Sequence, residues 1–321
     1  MNNLDLNEKF LGALRRKFTK QTALVTTVEE VLKIEKESAY RRIKGIVQFS
    51  IREMGILAKS LNISLDNLLT DDKTNVVNLR VFSPRIEGSL DERTESVGEY
   101  LEKIRTLGGS SDSEIGGIYT NLPIEYYIPY DYLFKLIYYR WAFYYMGPEK
   151  CRNFASWKIP DNILKFCPHI MNIYENTKKV LYVWDKYIIH DLVEDIKFYI
   201  SIDMIDREDV ERIKKDMHTM LSDLERLLSA GGPEDNLEKI EFYISNMKMG
   251  VTYVYTWNKE YKSSYMATLS LISTINEDET TCNNIRMWVK SLKKISTLIS
   301  GTGDKERILF FRDQRQIVDS I

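Results

Sequence analysis

The chain has 321 residues, 44% of them hydrophobic, with a formal net charge of −2, which excludes a disordered chain and leaves room for two domains. The charge is unevenly spread: residues 1–70 hold 12 Lys+Arg against 8 Asp+Glu, and the remaining 251 hold 33 against 39, so a basic front precedes an acidic body. Cys151, Cys167 and Cys282 form no CxxC pair, which argues against a disulfide framework, and neither the polar start MNNLDLNEKF nor the charge-interrupted aromatic run at 124–146 suits a signal peptide or membrane span; a cytoplasmic protein is expected.

Leu11, Leu14 and Phe18 recur at helical spacing, as do Leu24, Val28, Val31 and Leu32. The charged segment EKESAYRRIKG, residues 35–45, follows. In SIREMGILAKSLN, Ser50 and Glu53 have the form of a capping box, Ile51, Met54, Leu57, Ala58 and Leu61 draw one apolar stripe, and Asn62 is the expected stop. SLDNLL starts on a cap residue, Ser64, and presents Leu65, Leu68 and Leu69 to a core. These segments predict an all-α, five-helix domain over residues 1–72, and the polar TDDKTNVV leads into a linker over 73–95.

Beyond the linker the composition shifts: 19 of the 20 tyrosines and all five tryptophans follow residue 98. GVTYVYTWN alternates as a half-buried strand does, and KIEFYISNM and SSYMATLSLIST flank it. Three antiparallel strands are expected, turning at Gly250 and at 258–262. A long amphipathic helix is expected over 206–230, through Val210, Ile213, Met217, Met220, Leu224 and Leu227, and it stops at Gly231, Gly232 and Pro233. Helices over 283–299 and 304–321 finish the chain, with Asp304 as a cap after SGTG. Residues 96–321 therefore read as an α+β domain with a small antiparallel sheet and several amphipathic helices.

At about 100° per residue, Ala39 and Ile43 share one side of the 35–45 helix, while Glu37, Tyr40, Arg41 and Lys44 share the opposite side. The inner face is small and apolar; the outer one carries groups able to pair with base edges or phosphates. A solvated charged helix in a bundle is the plain alternative.

The ordered set VEEVLKI, EKESAYRRIKG, SIREMGILAKSLN and ISLDNLL resembles the second to fifth helices of lambda-repressor-like (Xre- or Cro-type) helix-turn-helix domains, over about residues 23–70. Ile34 stands at the family's apolar turn position. Glu29 stands where a small residue is usual, Lys33 where glycine is usual, and Val25 where a glutamine is usual, so Thr26 or Thr27 would take over that glutamine's phosphate contact. The resemblance implies double-stranded DNA as partner, base contacts from Glu37, Tyr40 and Arg41, and phosphate contacts from Lys36, Arg42, Lys44 and Arg52. One such domain offers a small interface, so a homodimer is expected, with the 206–230 helix or the C-terminal helices as its contact; inward packing of their stripes is the equal alternative, and the second domain would sense an effector, small molecule or protein. A scaffold that uses the same helices to bind a protein is the alternative.

Signals for an enzyme, a cofactor or a metal are poor, and none is expected. SGTGDKER lacks the GK[ST] of a phosphate-binding loop, and Cys167 and His169 have no second ligand pair. His190 and His218 complete no set of nucleophile, base and orienting group. Nine tyrosines fall between residues 118 and 147; core and interface are expected there ahead of a ligand pocket.

Overall fold

The computed structural model describes residues 6–18, 20–61, 63–69, 80–81, 98, 101–102, 104–107, 110–151, 153–231, 240–268 and 271–321. The chain divides into two compact units, Met1–Asn78 and Leu79–Ile321. Asn62 and, apart from 80–81, the expected linker lie outside the described residues.

The first unit is helical: α1 (Leu6–Lys17), α2 (Gln21–Leu32), α3 (Lys36–Ile43), α4 (Ile51–Ser60) and α5 (Leu65–Leu69). Helices of this length are marginal alone, so their stability comes from the stripe each one buries. Phe10, Leu14, Leu24, Val28, Ala39, Ile43 and Leu57 form one buried core, each large side chain contributing about 1.5–3 kcal/mol on burial. Both halves of the Ser50–Glu53 capping box are present. Asn7, buried on α1, exchanges two hydrogen bonds with the Phe49 backbone and so fixes the approach to α4.

The second unit is built on an eight-stranded sheet in the order β1-β7-β6-β5-β2-β3-β4-β8. In chain order its elements are β1 (Arg80–Val81), β2 (Glu114–Tyr119), α6 (Asp131–Met146), α7 (Asp161–Leu164), α8 (Cys167–Asn176), β3 (Lys179–Asp185), α9 (His190–Ser201) and α10 (Arg207–Ala230). Then come β4 (Ile240–Ser245), β5 (Thr252–Trp257), β6 (Lys262–Thr268), β7 (Leu271–Asn276), α11 (Glu279–Leu292), β8 (Ser296–Leu298) and α12 (Asp304–Asp319). The small antiparallel sheet expected from the sequence is corrected: β2, β3 and β4 are parallel, and the sheet is mixed. KIEFYISNM forms β4, which pairs with β3 and β8 and not with β5. SSYMATLSLIST forms two strands, β6 and β7, which pair with each other.

Central parallel strands need apolar residues on both faces, and β3, KVLYVWD, is buried from Val180 to Asp185. Tyr182 and Trp184 join Tyr119 and Phe242 in the large core shared with α6, α9, α10 and α12. On the other face Leu181 and Val183 meet Ile118, Tyr255 and the α11 residues Val289 and Leu292. In β2, Gly117 lets the β5 backbone approach: a Cβ there would lie 2.7 Å from the Tyr253 carbonyl oxygen. Glu114, nearly buried, accepts from the Tyr255 hydroxyl at 2.6 Å and pairs with Arg286 and Lys290 of α11. Burial opposes its charge, but these donors prevail and hold its carboxyl below the usual range.

α10 has the expected ends, an Asp206 cap and Gly231 in the left-handed region. Its stripe of Val210, Ile213, Met217, Met220 and Leu224 is buried in the unit's own core, against α6 and α12. Phe310, Phe311 and Val318 of α12 are buried there too. Of the two uses expected for these stripes, dimer contact and inward packing, the second is the one found, because a 24-residue helix on a sheet of this width finds its apolar partner within the chain. The helix expected over 283–299 ends at Leu292, and 296–298 turn into an edge strand that pairs with β4. Gly303, not Asp304, is the cap of α12; Asp304 is its first residue and pairs with buried Arg307.

Candidate nucleic-acid interface

α2 ends on Lys33, whose φ of 54° and ψ of 47° place it in the left-handed region. The Lys33 and Ile34 amides both donate to the Glu29 carbonyl, closing the helix, and α3 starts at Lys36. Lys33 therefore occupies the backbone position that suits glycine, which explains why glycine is usual there in the domains this segment resembles. Lys33→Gly is expected to stabilise the first unit by about 1 kcal/mol. Chemical denaturation reads this; an unchanged or lower midpoint would show that the lysine side chain outweighs its backbone strain.

Three contacts hold α3 in place. Ala39 and Ile43 are completely buried, Arg15 of α1 donates to the Ile43 carbonyl at 2.8 Å, and Arg42 pairs with Glu53 of α4 at 2.9 Å. Burial opposes the charge on Glu53, but the Ser50 amide and Arg42 outweigh it and hold its carboxyl below the ordinary value. At its far end α3 stops on Gly45, φ 78°, and the Ile46 amide donates back to the Arg41 carbonyl at 2.9 Å.

Glu37, Tyr40, Arg41 and Lys44 are exposed on the side of α3 away from Ala39 and Ile43, and Lys36 is exposed in its first turn. Tyr40 is 41% exposed, and the Lys44 ammonium stands 5.6 Å from its ring centroid, a spacing at which cation and ring attract. Arg52 is exposed in the first turn of α4. The other three predicted residues are less free. Arg42 also donates to the Ser38 carbonyl, so its guanidinium serves the fold. The Thr26 hydroxyl donates to the Thr22 carbonyl and the Thr27 hydroxyl to that of Ala23, so either would have to rotate to donate to a phosphate. Exposed together are thus one acid, Glu37, one phenol, Tyr40, and four cations, Lys36, Arg41, Lys44 and Arg52, that enter no ion pair among the described residues.

Arg15 went unnoticed as a positioning residue. It lies 28 residues from its acceptor, and its only sequence signal is a basic residue in the last turn of α1. In the second unit the aromatic run expected as core and interface is core in part: Tyr119, Tyr127 and Tyr139 are buried, whereas Tyr144 is 52% exposed. All three cysteines are free. Among the described residues no three His, Cys, Asp or Glu side chains converge as metal ligands, and no helix is long and apolar enough to cross a membrane. His169 bonds the Lys165 carbonyl and His218 pairs with Asp319. No family model, no curated protein and no solved structure matches the chain.

Proposed function

We propose that this protein is a DNA-binding transcriptional regulator that inserts α3 of its helical unit into the major groove. One observation carries the reading: the exposed face of Glu37, Tyr40, Arg41 and Lys44 is backed by a buried Ala39–Ile43 face and tied at both flanks by Arg15 and Arg42. A reading head must be rigid, because a misplaced bidentate group loses its discrimination. Arg41 suits guanine, Glu37 suits the amino group of cytosine, and Tyr40 suits a thymine methyl or a phosphate. Lys36, Lys44 and Arg52 suit phosphates. Such a module buries only about 600–1,000 Å², so binding as a homodimer across two half-sites fits the reading, with the second unit as the sensing part.

Arg41→Ala is expected to relax base preference at one position of the bound sequence, at a cost of about 1–3 kcal/mol, while Lys44→Ala weakens all sequences alike. Competition binding with single-base variants of a selected sequence separates the two. An equal loss across every variant for Arg41→Ala rejects its reading role.

A second reading, a partner-binding scaffold, is favoured by Ile46 and Ile51, which are 65% and 81% exposed beside α3. Large exposed aliphatic side chains suit a protein partner better than a phosphate backbone. Selection from random duplexes with the full chain decides: an enriched motif supports the regulator, and none supports the scaffold.

A further inference from the structure

Parallel strands β2, β3 and β4 end side by side, and residues at or after those three ends, with the start of α9, surround a cleft of about 360 Å³. Thr120 follows β2, Asp185 and Tyr187 lie at the end of β3, and Lys248 and Met249 follow β4. The walls are tied together. Asp185, only 4% exposed, accepts from the Tyr187 amide at 2.9 Å and the Met249 amide at 2.7 Å, which joins the segments after β3 and β4. The Thr252 hydroxyl accepts from the Thr120 amide at 3.1 Å and so fixes the exit of β2. Polar groups held this way cost little to order when a ligand arrives, and the carboxyl edge of parallel strands is where open α/β sheets bind ligands. The volume falls within the range of about 300–1,000 Å³ typical of small-molecule sites.

We infer that this cleft binds a nucleoside monophosphate, with its phosphate on Lys248, its sugar hydroxyls on Asp185 and Asp191, and its base against Tyr187. Lys248 is exposed and enters no ion pair among the described residues, so its ammonium is available to an anion, and His190 lines the same cleft. Each Asp185 oxygen has accepted one amide and keeps a lone pair for a hydroxyl donor. Tyr187 is 46% exposed and already holds the Lys186 ammonium 4.7 Å from its ring centroid, leaving aromatic surface for a base to stack on. Two carboxylates against one lysine disfavour a ligand with several phosphates more strongly than one with a single phosphate. The inference deepens the sensing role proposed for the second unit and relies on it only for the regulatory consequence.

Isothermal titration of the full chain with the four ribonucleoside 5′-monophosphates, and with the matching nucleosides, tests it in the absence of DNA. At least one monophosphate is expected to bind, its nucleoside at least about tenfold more weakly, and Lys248→Ala and Tyr187→Ala are each expected to weaken that binding roughly tenfold. No binding of any monophosphate at millimolar concentration overturns the inference, as does a nucleoside that binds equally well or a Lys248→Ala variant that binds as the parent does. Because no DNA is present, failure here leaves the reading of α3 standing, and a failed duplex selection leaves this cleft standing.

Discussion

Raising the salt from about 50 mM to about 200 mM is expected to weaken binding of the full chain to its selected duplex about a thousandfold. The size follows from the cations that the fold leaves free. Lys36, Lys44 and Arg52 are exposed, whereas Arg42 is already neutralised by Glu53. Three phosphate contacts per copy give roughly six for a dimer, and each contributes about 0.9 to the slope of log affinity against log salt. Arg52→Ala is then expected to flatten the slope by nearly two in a dimer, while Arg42→Ala leaves the slope unchanged and lowers stability. Fluorescence anisotropy across a salt series measures both. A slope near zero rules out phosphate neutralisation as the source of affinity, and an equal flattening by Arg42→Ala shows that its pairing with Glu53 opens on the duplex.

A second large effect is expected in stability against pH, at Glu125. This residue lies in the one-turn segment 124–126 after β2, is buried, and accepts a hydrogen bond from the Tyr182 hydroxyl at 3.0 Å. Burial pushes its carboxyl up to about 8, and none of the groups acting on it is a cation. The native state therefore holds a proton that the unfolded chain releases near its ordinary value of 4.5. Stability from this group is present in full below about pH 4.5, falls as the pH rises toward 8, and is flat beyond. At about 1.4 kcal/mol per tenfold change in proton affinity, the loss across that interval is on the order of 4 kcal/mol. Glu125→Gln keeps an acceptor for Tyr182 and cannot ionise, so its denaturation midpoint is expected to change much less over the same interval. It should exceed the parent's above pH 8. Parallel curves for the two proteins would show that Glu125 reaches water in the native state.

The helical unit was legible because its determinants are local. A capping box, a glycine stop and apolar residues spaced at three and four each act within a turn or two of helix, and Ser50, Gly45, Ala39 and Ile43 stand in the structure where the pattern puts them. What local pattern could not carry was which charged residue remains free. Arg41 and Arg42 are neighbours of the same type, yet Arg42 meets Glu53 from the next helix while the Arg41 guanidinium enters no ion pair among the described residues. Glu53 announced itself only as a cap partner.

The second unit shows the converse. The long helix over 207–230 was visible because one face is wetter than the other, which leaves a period of 3.6 in the sequence, whereas β5 was visible from its alternation alone, since Thr252, Val254, Tyr255 and Thr256 are all buried. β3 is buried on both faces and has no such period, and β2 carries Gly116 and Gly117, residues that strands disfavour and that suit this one because β5 lies close across them. The parallel order β2-β3-β4 depends on which strands meet after long helical crossovers, a choice made by burial summed over the whole unit. The cleft at their ends follows from that order alone: Thr120, Asp185 and Lys248 span well over a hundred residues of chain and become neighbours only when three strands stop at one edge. Amino-acid order by itself determined the helices of the first unit, the long helix over 207–230 and the exposed face of α3, because those rest on contacts within a few residues. Strand order, the fate of Arg42 and the convergence at the sheet edge belong to tertiary structure, because there the partner is distant and only packing selects it.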